Sequence, residues 1–360
     1  MDGRTVMGRV RRAGLGALVG FLGLAAGFGT AAADGVVNGA GSTAVFPLMN
    51  VWAQAYQEKT GTPITYQPNG GGAGVAQFDE NSVTFVLVED PASPAELQKN
   101  GFVQWPLVFT GIVPVVNLPN LQSGKLVLDG PTLGSILDGK ITRWNDPAIV
   151  ALNQGLGLPD APIVVISRAE PAGSTFALTR YLSATSPAFD SQIGPTDSPQ
   201  FVKGPTASGD AGMAAEVAST PNAIGWTDYA DAVAAKLPLV AIKTTSGAVV
   251  APTPATFTQA VNDLTGAFDG GLGFADLMID QSRTGGWPIL ATTFVLMDAV
   301  PDDRASGEAA LKFFDWAYRT GTAQATQLGY VPVPATLLNG IETLWGAAII
   351  IDDKPLWPVK

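Results

Sequence analysis

The chain has 360 residues, with 20 lysines and arginines against 31 aspartates and glutamates, no histidine and no cysteine, for a formal charge of −11. Without cysteine there is no disulfide, thiol nucleophile or lipid-anchoring cysteine; without histidine, a Ser-His-Asp hydrolase and an ordinary zinc site are excluded. The acidity disfavours nucleic acid and anionic membranes as partners, but not a small anion held by buried N–H and O–H dipoles.

Residues 1–33 read as a secretory signal peptide. Arg4, Arg9, Arg11 and Arg12 form a cationic start, an apolar Gly- and Ala-rich run follows to Gly29, and Ala31-Ala32-Ala33 offers a small-residue cleavage site. The run is too short and too rich in glycine for a spanning helix. The expectation is export to a periplasm with cleavage after Ala33, by a route that the Arg11-Arg12 pair leaves open. Removing a segment with four arginines and one aspartate takes the charge from −11 to −14.

Beyond it, strand-like and helix-like segments alternate, which predicts an α/β chain. Leu48, Met49, Trp52, Ala53 and Tyr56 share one helical face, with Pro47 suited to the first turn and Gly61 to the stop. Residues 63–67 and 83–88 read as strands around a glycine-rich turn, and 108–117, 162–167, 239–242 and 289–297 as further strands. Late helices are predicted at 308–319 and 335–345. Phe313, Phe314, Trp316 and Tyr318 on the first of these, like Trp52 and Tyr56, are expected in the core. Trp287 lies close to where the chain would pass between domains.

Three polar turns can carry chemistry: Gly39-Ala40-Gly41-Ser42-Thr43, Asn69-Gly70-Gly71-Gly72-Ala73-Gly74, and Arg168 to Thr175 (RAEPAGST). Each leads toward a helix and can aim unpaired backbone N–H groups at an anion, helped by the helix dipole. Taken singly, the first reads more simply as a plain helix cap, the second as a tight bend, and Arg168 as a surface or salt-bridge residue. None has the Gly-Lys-Ser/Thr ending of a nucleotide-phosphate loop or the dinucleotide fingerprint.

In order and surroundings these stretches resemble the periplasmic phosphate-binding proteins of phosphate-specific ABC importers. The resemblance is carried by Gly39–Thr43 (GAGST), Trp52–Gly61 (WAQAYQEKTG), Leu126–Trp144 (LVLDGPTLGSILDGKITRW), Asn222–Trp226 (NAIGW), Trp287–Val295 (WPILATTFV) and Leu311–Gly321 (LKFFDWAYRTG). It implies two α/β lobes in Venus-flytrap form, a mixed β-sheet in each, joined by two crossover hinge strands. One lobe would combine residues 34–110 with 289–360, the other would be 111–288.

The resemblance further implies a binding set of Thr43, Ala44, Gly71, Glu89, Arg168, Ala172, Gly173 and Ser174. Ser42, Gly72, Asp90 and Glu170 stand in support, Glu170 as the acid paired with Arg168. Three departures stand out. Gly71 and Ala172 replace serines, and Glu89 replaces an aspartate, with Asp90 adjacent if the alignment slips by one. Two lost hydroxyl donors would weaken phosphate binding by about 3–6 kcal/mol, roughly a hundred- to ten-thousand-fold. A carboxylate at 89 accepts a hydrogen bond from a protonated oxyanion and repels sulfate, which has no such proton.

The implied function is capture of phosphate by a monomer and delivery to an inner-membrane permease–ATPase complex, without cofactor, metal or catalysis. Three other readings stay open. One is a relative retuned to a larger phosphonate or organic phosphate, and another a sensor or surface protein without phosphate binding. The third is a phosphatase-like enzyme using Glu89, Asp90 and Glu170, although no Asp/Asn cluster has metal-ligand spacing.

Overall fold

The computed structural model describes residues 36–202, 204–264, 273–274 and 285–358; the predicted signal peptide, residues 1–33, lies outside the described residues. The first part of the chain supplies β1 (Val37–Gly41), α1 (Phe46–Thr60), β2 (Ile64–Gln67), α2 (Gly71–Asp79), β3 (Phe85–Val88), α3 (Pro94–Asn100) and β4 (Phe102–Val116). The middle supplies β5 (Val127–Asp129), α4 (Gly130–Leu137), α5 (Pro147–Leu152), β6 (Val164–Val165), β7 (Ser167–Arg168), α6 (Gly173–Thr185), α7 (Pro187–Gln192), β8 (Thr206–Ala207) and α8 (Gly209–Ser219). It continues with β9 (Ala223–Asp228), α9 (Tyr229–Ala234), β10 (Ala241–Lys243), β11 (Val249–Val250) and α10 (Pro254–Leu264). The chain then returns through β12 (Leu290–Asp298), α11 (Arg304–Thr320), α12 (Thr322–Gln327), β13 (Val331–Pro332) and α13 (Ala335–Ala348).

Helix α1 shows how local chemistry sets an element. Leu48, Met49, Trp52 and Tyr56 are its buried face, Pro47 sits in the first turn, and Gly61 ends it in the left-handed region at φ 81°, its N–H bonded to the Gln57 carbonyl. Trp52 fixes the helix to the returning chain by donating Nε1–H to the Gly321 carbonyl at 2.9 Å. The expected aromatic core is present: Phe313, Phe314, Trp316 and Tyr318 are buried on α11, and Trp105 packs edge-on against both Phe314 and Trp345. Trp287 is fully buried and donates to the Ile112 carbonyl at 2.9 Å, which makes it a core residue.

The main sheet runs β2-β1-β3-β12-β4-β9-β6, with β13 also pairing β4. β1 pairs parallel with β2 and β3, β12 runs antiparallel between β3 and β4, and β9 pairs antiparallel with β4 and parallel with β6, so both halves are mixed. A small sheet, β11-β10-β5, lies apart from it. β4 is longer than the predicted 108–117 because residues 103–116 form one unbroken buried run, the pattern of a strand covered on both faces. Its first part, Phe102–Gly111, pairs with β12; its last part, Ile112–Val116, pairs with β9. The ladder with β12 slips between Thr293 and Phe294, opposite Val108 and Pro106, where proline has no N–H to offer.

The glycine-rich turn after β2 is itself helical: Gly71, Gly72 and Gly74 form the start of α2. Glycine is required there by a close approach. A Cβ on Gly74 would lie 2.6 Å from the Gly41 Cα and 2.7 Å from Val86 Cγ2, and Gly41 itself has φ +122°. Gly74→Ala is therefore expected to cost about 1–3 kcal/mol by overpacking α2 against β1. The check is urea unfolding: a lowered midpoint at unchanged slope supports the close-packing account, and an unshifted midpoint contradicts it.

Among the described residues no helix is long and apolar enough to cross a membrane.

Candidate anion site

The turn after β1 and Glu89 after β3 meet residues 168–174 and 209–210 of the middle part. At the end of β1, Ser42 is buried, its Oγ accepts from the Ala44 N–H at 3.2 Å, and it donates to Glu89 Oε1 at 3.1 Å. Tyr66 on β2 and Tyr330 before β13 brace this turn by donating to the carbonyls of Ser42 (2.6 Å) and Ala44 (2.5 Å). The Ala44 N–H expected to face an anion is thus held by Ser42. Thr43 is exposed on the cleft wall.

Glu89 follows β3 and reaches across to α6, where the Gly173 N–H donates to its carboxylate. The contact is so close that a Cβ at 173 would overlap the Glu89 side chain, which is why glycine opens α6. Burial first, and then the charge of Asp210, raise the Glu89 carboxyl to about 7, against the lowering effect of Ser42, Arg168 and Gly173. An acid poised there can accept or donate a hydrogen bond near neutral pH.

Arg168 lies on β7, with its side chain 8% exposed. Its Nε donates to Glu170 Oε1 at 3.0 Å, and its Nη1 to Ser174 Oγ at 3.0 Å and to Asp210 Oδ1 at 2.9 Å. The pairing of β7 with β8 explains Asp210: Arg168 lies beside Ala207, and the chain leaves β8 directly into the first turn of α8. Thr227 on β9 anchors that turn by donating to the Asp210 carbonyl at 2.8 Å. Glu170 also accepts from the Gly209 N–H at 2.9 Å, and that bond with the guanidinium outweighs the effect of burial and holds its carboxyl below the usual range. The single positive charge is thus matched by two carboxylates, and attraction for an anion rests on N–H and O–H dipoles.

Of the expected residues, Ser42, Glu89, Arg168, Glu170, Gly173 and Ser174 are linked by contacts in one cluster. Ala172 caps α6 without a side-chain bond. Gly71 opens α2, where a Cβ would find only Val88 Cγ1 at 3.8 Å, and Gly72 has nothing within 4 Å of such an atom. The place of the hydroxyl missing at Gly71 is therefore open space. Asp90 is exposed and is influenced by Asp197 and Glu96, outside the cluster. Asp210 was not foreseen from the sequence; an aspartate in the first turn of a predicted helix after Ser208-Gly209 was the available signal.

The sequence matches the PBP superfamily domain over residues 26–320. It is 37% identical over 313 residues to the phosphate-binding protein PstS of Xylella fastidiosa Temecula1, covering 86% of this chain and 85% of that one. The chain belongs to the PstS family of phosphate-binding proteins. A second PstS, from Haemophilus influenzae, is 36% identical, with 86% of this chain and 92% of the relative covered. Solved structures share the PstS fold at lower identity. A human phosphate binding apolipoprotein superposes with a TM-score of 0.66 at 18% identity, covering 88% and 97% of the two chains. A Clostridium perfringens substrate-binding protein of a phosphate ABC transporter, described as putative and solved with bound phosphate, gives 0.57 at 20%, covering 83% and 99%. The fold is that of a two-lobe α/β binding protein.

Proposed function

We propose that this PstS-family protein captures inorganic phosphate between its two lobes in the periplasm and delivers it, chemically unchanged, to an ABC importer. Residues 34–110 with 289–360 form one lobe and 111–288 the other. The change of partner along β4, from β12 to β9 at Gly111–Ile112, supports the hinge at that point.

The observation that carries the reading is Glu89, held between Ser42 of one lobe and Gly173 of the other beside Arg168. A protonated oxyanion gives its O–H to this carboxylate while Thr43, the N-termini of α2 and α6, Arg168 and Ser174 donate to its other oxygens. Gly71 and Ala172 contribute backbone only, and water can stand in the open space beside Gly71. Sulfate meets the same carboxylate as like charge. Groups from both lobes touch the ligand, so binding favours the closed arrangement, which the inner-membrane permease–ATPase complex reads from both lobe surfaces. The protein works as a monomer after cleavage following Ala33, with no cofactor and no catalysis.

The test is calorimetric titration of residues 34–360, unfolded and refolded to strip bound ligand, with phosphate, arsenate and sulfate. Dissociation constants on the order of 1 μM or below for the first two, with sulfate silent, are expected. Absence of heat with phosphate from folded protein overturns the reading.

A further inference from the structure

The cleft continues past the anion cluster into a cavity of about 530 Å³, with Thr43, Ala44 and Tyr330 on one wall and Asp210, Asp228 and Asp231 on the other. That volume falls in the range of about 300–1,000 Å³ typical of sites for small organic molecules, far more than a five-atom oxyanion fills. No lysine or arginine is among its lining residues.

Asp228 ends β9 and precedes α9. It is 9% exposed, does not cap the helix it precedes, and its carboxyl has no hydrogen-bond partner among the described residues. An unpartnered carboxyl whose residue lines an open cavity beside two more carboxylates is free to accept from a donor placed there. Burial first, then the charges of Asp210, Glu89 and Asp231, hold it well above the usual carboxylate range, against the lowering effect of Arg168. Of these neighbours only Asp210 is matched by the Arg168 guanidinium, at 2.9 Å. The wall is thus short of positive charge, and the neighbouring cluster is built to donate hydrogen bonds to an anion. One molecule satisfies both needs if it carries both charges.

We propose that the cavity lined by Asp228 and Asp231 is a second subsite, which takes the ammonium end of a phosphonate or phosphate monoester whose phosphorus end sits at the anion cluster. The proposal rests on the reading of that cluster as an oxyanion site. A primary ammonium gives three N–H donors, one for the unpartnered Asp228 carboxyl and others for Asp231 and the cavity's carbonyls. Asp210 marks the border, bonded to Arg168 on the anion side and facing the cavity on the other.

The experiment titrates refolded residues 34–360 and their Asp228→Asn variant with orthophosphate, 2-aminoethylphosphonate, 2-hydroxyethylphosphonate and ethylphosphonate. The wild type is expected to prefer the amine over ethylphosphonate by roughly 10- to 100-fold, the value of one charge-assisted hydrogen bond. Asp228→Asn brings that ratio close to one. If the asparagine variant fails to fold by circular dichroism, Asp231→Asn, at a half-buried position, takes its place and lowers the ratio severalfold. A wild-type ratio near one, a hydroxyl analogue preferred over the amine, or a ratio that survives the substitution overturns the subsite. Orthophosphate bound without amine preference removes the subsite and leaves the phosphate reading; amine preference without orthophosphate binding does the reverse; no binding of any probe removes both.

Discussion

Replacing Arg168 by methionine is expected to abolish phosphate binding, by more than roughly a hundredfold, and to lower stability by about 3 kcal/mol. The guanidinium is the shared partner of Glu170, Asp210 and Ser174. Taking it away leaves Asp210, its side chain 15% exposed, with no counter-charge in a cleft that already holds Glu89 and Asp228. Two acids then repel the anion where one guanidinium had balanced them. Lysine keeps the charge but cannot span Glu170 and Asp210 with a rigid fork, so Arg168→Lys should fall between wild type and methionine. Urea unfolding and calorimetry measure the two effects. Wild-type stability in Arg168→Met would show that the network holds nothing together, and retained affinity would place the anion elsewhere.

The second large effect concerns Glu89 and pH. Its carboxyl is raised from an ordinary 4.5 to about 7, so the folded protein holds this proton more tightly than the unfolded chain does. The resulting stabilisation is complete below pH 4.5 and is lost as pH rises to about 7. Glu89→Gln stays neutral throughout. The difference in unfolding free energy between variant and wild type should therefore move in the variant's favour across that window and level off above it. Using the difference cancels titrations not coupled to Glu89, such as that of Asp298, which burial and then the charges of Asp302 and Asp79 raise to about 6. A difference that stays flat with pH would place the Glu89 pKa in the ordinary range. The same variant should admit sulfate, since the amide no longer repels an anion without a proton, while phosphate weakens by roughly 10- to 100-fold. Continued silence with sulfate at pH 8 would mean that something other than Glu89 sets the selectivity.

Sequence reading succeeded where the determining chemistry is local. The limits of α1 follow from Pro47 and Gly61, and the buried aromatic face of α11 follows from helical spacing. It failed where the cause is distant. Gly71–Gly74 looks like a loop, and only the pressing of Gly74 onto Gly41 explains a helix with so much glycine. The site divides the same way. Glu170, two residues from Arg168, was legible as its partner; Asp210, forty-two residues away, is brought in by the β7–β8 pairing. Asp228 was hidden for a related reason, since at the end of a buried strand it looks like one more helix cap until the cavity beside it is seen.

The position of β12 has a consequence for how the molecule comes into being. This strand is inserted between β3 and β4, although some two hundred residues separate it from the first of these in the chain. The β3-β12-β4 part of the sheet cannot close until most of the polypeptide is present, and contacts between such remote segments make folding slow. A nascent chain stays unfinished through most of its synthesis, with the edges of β3 and β4 unpaired. Strand order thus keeps the chain unfolded and open to pairing for longer than a sheet built from neighbouring segments would.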